Sequence, residues 1–280
     1  MNRKEREKLG IATGKIRLTE KDVKRREEKA AQKRKEKKEK ILVAISSLVA
    51  LILIISGIVW FNQRQTEIAQ RDEGFPPEVP YPTNAEKEAI SNELILLETT
   101  MGDIYMELDA TAAPRTSRNL RELVKNGFYD GVIFHRVIDD FMIQTGGYTT
   151  TSPKDPGYSF RDEINPLSLD LPDHVIDEGM RDGYNYDMSL PYSIPLSYGV
   201  VAMANAGANT NGSQFFIITN PEGTTWLEGR HTGFGRVVRG MEVAESIQKV
   251  ATDEMDKPVE DIIITRASIV ERADIEDLES

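Results

Sequence analysis

Twenty-one consecutive residues, Ile41 to Phe61 (ILVAISSLVALILIISGIVWF), carry no charge. At a rise of ~1.5 Å per residue, such a run spans roughly 31 Å as a helix, the thickness of a bilayer's hydrocarbon core. A buried helix of a soluble protein is rarely this apolar on every side, and Trp60 stands where an aromatic ring meets the membrane interface. The run therefore predicts one transmembrane helix over residues 41–61. It also divides the chain into two parts that face different surroundings.

The charge is divided in the same way. Residues 1–40 hold seventeen Lys/Arg against eight Asp/Glu, a net of +9; with −11 overall, the remainder carries −20. The cluster KRKEKKEK directly precedes the apolar run, so the positive-inside rule places residues 1–40 in the cytoplasm and everything after Phe61 outside. The expectation is a single-pass cell-membrane protein with an extracytoplasmic domain. A cleavable signal peptide is the competing reading, but its charged region would be unusually long and no Ala-x-Ala site follows. The basic arm is a solvated or lipid-facing segment. Its interleaved Glu and lack of aromatics speak against nucleic acid, and no nucleic-acid partner is expected.

Residues 62–91 hold Pro76, Pro77, Pro80 and Pro82 in a polar setting and read as a semi-extended spacer, with one helical turn at 85–90. The domain proper is expected over 92–272, with an acidic tail at 273–280. Leu94 to Leu108 (LILLETTMGDIYMEL) reads as a hairpin turning at Met101-Gly102. A helix follows from Pro114 to Gly127, with Leu120, Leu123 and Val124 on one stripe. Gly199 to Ala204, Gln214 to Thr219 and Asp261 to Val270 are strands, and Met241 to Val250 is a short amphipathic helix. Many short strands and few helices predict a mainly β domain, an antiparallel barrel or sandwich.

The candidate chemistry lies in Phe134 to Gly147, FHRVIDDFMIQTGG, two short strands about an acidic turn with Arg136 among apolar residues. A buried, unpaired Arg costs several kcal/mol, so Arg136 either pairs with Asp139 or Asp140 or is held beside an apolar pocket as a hydrogen-bond donor. With no cysteine, the chain has no thiolate nucleophile, disulfide or Cys-ligated zinc. His135, His174 and His231 lack metal-ligand spacing, and the acids of Leu167 to Tyr198 lack an EF-hand pattern. Neither a metal nor a cofactor is expected.

Three long motifs, FHRVIDDFMIQTGG, GVVAMANAGANTNGSQFFIIT (Gly199 to Thr219) and WLEGRHTGFGRV (Trp226 to Val237), resemble the cyclophilin peptidyl-prolyl cis-trans isomerases in order and separation. The resemblance covers about Glu93 to Glu271, with PGYSFRDE (Pro156 to Glu163) and KPVEDIII (Lys257 to Ile264) also fitting. It implies a closed eight-stranded antiparallel barrel capped by two helices. It also implies that Arg136 is the catalytic residue. Phe141, Met142, Phe216 and Leu227 would form a proline pocket. Gln144, Ala204, Asn205, Ala206 and Gln214 would line the groove for the substrate backbone, with Trp226 and His231 on the rim. The implied partners are proline-containing unfolded or extended polypeptides, and cyclosporin, which packs on a tryptophan at the position of Trp226.

The implied function is a prolyl isomerase assisting the folding of extracytoplasmic proteins. A cyclophilin-like binding module without useful turnover is the alternative, and the presence of Arg136 favours the enzyme. A third reading makes the basic arm the working part, recruiting a cytoplasmic partner. Two departures from the family stand out. Gly146-Gly147 runs into YTTTSPKDPG instead of a glycine-rich loop, and Leu167 to Tyr198 is much longer than the usual connection. This long connection reads as a solvated loop, four tyrosines among its acids, able to touch extended substrates.

Overall fold

The computed structural model describes residues 79–276. The basic arm, the apolar run at 41–61, the spacer up to residue 78 and the last four residues of the tail lie outside the described residues. Among the described residues, no helix is long and apolar enough to cross a membrane.

The chain opens on helix α1 (Asn84–Asn92). Strands β1 (Glu93–Thr99) and β2 (Gly102–Leu108) follow, then α2 (Pro114–Lys125). Three short strands come next, β3 (Val132–Ile133), β4 (Arg136–Ile138) and β5 (Met142–Thr145). Helix α3 (Asp173–Arg181) precedes β6 (Val200–Met203) and β7 (Phe215–Ile218). A single 3-10 turn (Thr225–Leu227) leads to β8 (Gly233–Arg239), α4 (Met241–Gln248), β9 (Ile263–Glu271) and α5 (Arg272–Glu276).

All nine strands form one antiparallel sheet in the order β3-β9-β1-β2-β8-β6-β7-β5-β4. The expected architecture is corrected in two respects: there are nine strands rather than eight, and the pairing order is a half-barrel with two edges. Both edges belong to one stretch of chain. In that stretch β3 pairs with β9 and β4 pairs with β5. Between them the partner changes: Phe134 N–H donates to Ile262 O at 2.9 Å, and His135 N–H donates to Gln144 O at 3.1 Å.

Alternation builds the core. Ile104, Met106 and Leu108 of β2 are buried at every second position and pack with Ile95, Leu97, Val201, Phe215, Ile217 and Phe234. The expected stripe of α2, Leu120, Leu123 and Val124, joins the same cluster, as do Ala244 and Ile247 of α4. Ala113 supplies no side-chain cap for α2. Instead the buried Glu163 carboxylate reaches from the connection and accepts from Arg115 N–H (2.9 Å), Thr116 N–H (2.8 Å) and Thr116 Oγ1 (2.8 Å).

Two stretches differ from expectation. The end of the spacer is a nine-residue helix instead of a single turn. It starts on a capping box in which Thr83 N–H donates to Glu86 Oε2 (2.7 Å) and Glu86 N–H donates to Thr83 Oγ1 (3.2 Å). Ile90 is buried in the main core, and Glu86 pairs with Arg118 of α2 at 3.2 Å. The long connection is likewise not a solvated loop. It contains α3, and Ile176, Tyr184, Leu190, Ile194 and Leu196 are all buried.

Candidate functional site

Residues directly opposite each other on paired strands point to one face of a sheet. On β4, β5, β7 and β6 this rule produces one row of partners, Arg136↔Gln144↔Phe216↔Ala202. A second row, Ile138↔Met142↔Ile218, lies one step along the same face. The intervening residues Val137, Ile143, Ile217 and Val201 face the other way, into the main core. Phe215 to Ile218 is therefore apolar throughout, because both of its faces are covered.

The face that carries Arg136 has its own apolar cluster. Met142, Phe216, Ala202, Ile218, Ala112, Ile194, Leu196 and Val200 are buried in it, and Phe141, Leu227, Ala204 and Ile138 pack against it half-buried. All four expected pocket residues, Phe141, Met142, Phe216 and Leu227, are thus brought together. Ile194 and Leu196 come from the long connection, a contribution not foreseen from sequence.

Arg136 lies at the edge of this cluster with its side chain 45% exposed, so the premise of a buried arginine is corrected. The period of two explains it, since Val137 takes the inward position on β4. Its ion pair is also with a different residue: Arg136 Nε lies 3.4 Å from Asp256 Oδ2. Asp139 and Asp140 are taken by Lys249, at 2.6 and 3.6 Å.

The groove residues surround the same face. Gln144 Nε2 donates to Gln214 Oε1 at 3.0 Å, and Ala204 N–H donates to Gln214 O at 3.0 Å. A Cβ at Gly147 would stand 2.5 Å from the Gln214 side chain, so glycine is what lets Gln214 lie there. Asn205 turns its amide inward: Nδ2 donates to Arg230 O (2.9 Å) and, at 3.4 Å, to Asp162 Oδ1. Ala206 is exposed, and its N–H donates to Thr210 Oγ1 at 2.8 Å.

On the rim, Trp226 is 60% exposed, and its ring centroid lies 5.9 Å from that of Phe141. His231 meets the Phe216 ring edge-on at 5.4 Å. Its Nδ1 is 2.9 Å from Met203 O; since a carbonyl only accepts, this contact requires the proton on Nδ1. Burial holds the His231 pKa below the usual histidine value, so the ring is neutral at neutral pH.

Two residues that sequence reasoning missed support this frame. Asp162, within the SFRDE segment, is buried beneath the Asn-rich loop. It accepts from Asn209 N–H (2.6 Å) and Asn211 Nδ2 (2.8 Å) as well as from Asn205. Burial pushes its carboxyl up to about 6, against the pull of those donors. Asp256 is the second, as partner of Arg136. The long connection also braces the rim. Tyr186 Oη donates to Gly229 O at 3.1 Å, Arg230 pairs with Asp182 at 3.0 Å, and Asn209 Nδ2 donates to Gly183 O at 3.0 Å.

Residues 94–269 match the family model of the cyclophilin type peptidyl-prolyl cis-trans isomerase. The chain belongs to the cyclophilin family. It is an isomerase of the peptidyl-prolyl cis-trans class. This cyclophilin is 41% identical over 180 residues to peptidyl-prolyl cis-trans isomerase-like 1 of Gibberella zeae, which covers 63% of this chain and 94% of the relative. It is 37% identical over 207 residues to the isomerase CYP18-2 of Arabidopsis thaliana, covering 73% of this chain and the whole of that one. A solved cyclophilin of Cryptosporidium parvum, in the presence of the dipeptide Ala-Pro, aligns over 64% of this chain and 99% of that chain, with 26% identity and a TM-score of 0.48.

Proposed function

We propose that this cyclophilin turns over prolyl bonds in extended segments of protein substrates, with Arg136 as the catalytic residue. The observation that carries the reading is the pair of adjacent cross-strand rows that have Arg136, Gln144 and Phe216 in one and Met142 in the next, on one face. A prolyl amide resists rotation by ~18–20 kcal/mol because the nitrogen lone pair is shared with the carbonyl. At the twisted transition state that lone pair localises on nitrogen and becomes a hydrogen-bond acceptor. A guanidinium placed there binds the transition state and barely binds either planar ground state, which is the condition for catalysis. The apolar cluster of Phe141, Met142, Phe216 and Leu227 holds the proline ring. Gln144, Gln214 and the Ala204–Ala206 segment hold the chain, so that rotation is confined to one bond. Neutral His231 and exposed Trp226 complete the rim, and Trp226 offers a flat apolar surface for cyclosporin.

Rotation about the prolyl bond transfers no proton, so the step needs no acid–base partner. Arg136→Ala should lower turnover of a short proline peptide by roughly 10²–10³, the usual loss for one transition-state donor. Two-state exchange measured by NMR reads this directly. A variant that kept most of its activity would remove Arg136 from the mechanism.

We extend the proposal to the setting of the reaction. The uncharged run at 41–61 and the basic cluster before it support a single-pass anchor in the cell membrane, with the isomerase domain outside and the folding of extracytoplasmic proteins as its task.

A further inference from the structure

Asp256 reaches the candidate catalytic arginine from a separate part of the chain, and the turn that carries it is tightly tied. Asp253 Oδ1 accepts from Met255 N–H (2.8 Å) and Lys257 N–H (3.0 Å), and Asp253 N–H donates to Lys257 O (2.8 Å). Asp256 N–H donates back to Asp253 O at 3.1 Å. Within this turn Asp256 adopts φ +64°, the left-handed region, where Asp, Asn and Gly are the tolerated residues. Its carbonyl accepts from Val137 N–H at 2.8 Å, while its carboxylate lies 3.4 Å from Arg136 Nε. One residue thus contacts both the strand that bears Arg136 and the Arg136 side chain.

We propose that Asp256 is a positioning residue: it holds the Arg136 guanidinium by Nε and leaves the Nη donors for the prolyl nitrogen. This rests on the reading of Arg136 as the catalytic group. An arginine side chain has many rotamers, and any that point away from the groove are unproductive. An ion pair on the Nε side leaves the four N–H donors of the two Nη atoms, enough for a transition-state bond. The carboxylate's opposite charge also weakens the guanidinium's field at the nitrogen. At 45% and 44% exposure that opposing effect is screened by water, whereas the geometric constraint is not, so positioning dominates. The acidic turn at Asp139-Asp140 does not substitute, because Lys249 occupies it.

The test is a double-mutant cycle on the full chain with Arg136→Ala, Asp256→Asn and both together, read as kcat and KM on a proline peptide. Asparagine keeps the left-handed backbone but removes the charge and replaces one acceptor oxygen by an NH₂ donor, which breaks the ion pair that holds the guanidinium, and the thermal midpoint checks that the fold is retained. Asp256→Asn is expected to lower kcat by about fivefold, with KM changed by less than about twofold, as suits a half-exposed ion pair. In the Arg136→Ala background the same substitution should have no effect on kcat. An equal loss in both backgrounds would mean that Asp256 only supports the turn, and wild-type kcat in Asp256→Asn would also overturn the proposal. Full activity in Arg136→Ala would instead defeat the assignment of Arg136 itself, which separates the two failures.

Discussion

Replacing Asp162 by asparagine removes a titratable charge from beneath the loop that carries Asn205. Asp162 is 4% exposed and accepts hydrogen bonds from Asn205, Asn209 and Asn211. Burial is the larger influence and lifts the carboxyl from 3.8 to about 6. The folded protein therefore holds a proton more tightly than the unfolded chain. The stability tied to that proton is fully present below about pH 4 and is lost as the pH rises through about 6. A difference of that size corresponds to about 3 kcal/mol, or roughly 6–12 °C in midpoint for a domain of this size. The substituted amide does not titrate; it keeps a carbonyl for Asn209 but turns an NH₂ group towards other donors, a penalty that is constant with pH. Urea unfolding of both proteins from about pH 4 to 8 is the assay. The stability difference should move by about 3 kcal/mol in favour of Asp162→Asn across that window. His135 and His231, whose pKa values burial lowers, titrate equally in both proteins and cancel. Parallel pH profiles would refute the reasoning.

Trp226→Ala should weaken cyclosporin binding at least tenfold, the loss usual for an exposed aromatic anchor, while turnover of a small peptide falls less than about threefold; equal losses would make Trp226 a structural residue. Protease added outside intact cells should cut within residues 62–78 and release the isomerase domain, whereas protection until the membrane is broken would reverse the proposed orientation.

The β framework was legible because alternation and turn chemistry are local. The first hairpin, which turns at Thr100-Met101, one residue earlier than expected, the α2 stripe and the apolar runs at 200–203 and 215–218 all follow from spacing. The expected pocket residues followed from motif order; the cross-strand rows put Phe216 and Met142 on one face, and Phe141 and Leu227 join them from turns. Other features needed three dimensions. The partner of Arg136 lies 120 positions further along the chain, and no local pattern distinguishes Asp256 from the nearer Asp139 and Asp140. What decides is Lys249, which draws those two acids away. The α1 cap, Thr83-x-x-Glu86, is a local helix-start signal, but the four prolines at 76–82 directly before it favour an extended chain.

The long connection shows why length and acidity do not by themselves make a loop solvated. Its acids lie at the surface, where Asp182 and Glu178 approach Arg230 at 3.0 and 4.0 Å. Part of its apolar set, Ile176, Tyr184, Leu190, Ile194 and Leu196, is buried instead, and Ile194 and Leu196 sit in the same cluster as Phe216 and Met142. Gly179 is part of this fit, since a Cβ there would stand 1.9 Å from the Tyr186 hydroxyl, and that hydroxyl donates to Gly229 O two residues before His231. Arg230, gripped on its side chain by the connection, accepts the Asn205 amide on its carbonyl. A change in the connection therefore reaches the Phe216 cluster through packing and Asn205 through Arg230. The connection thus helps set both the packing around Phe216 and the backbone at Gly229 and Arg230.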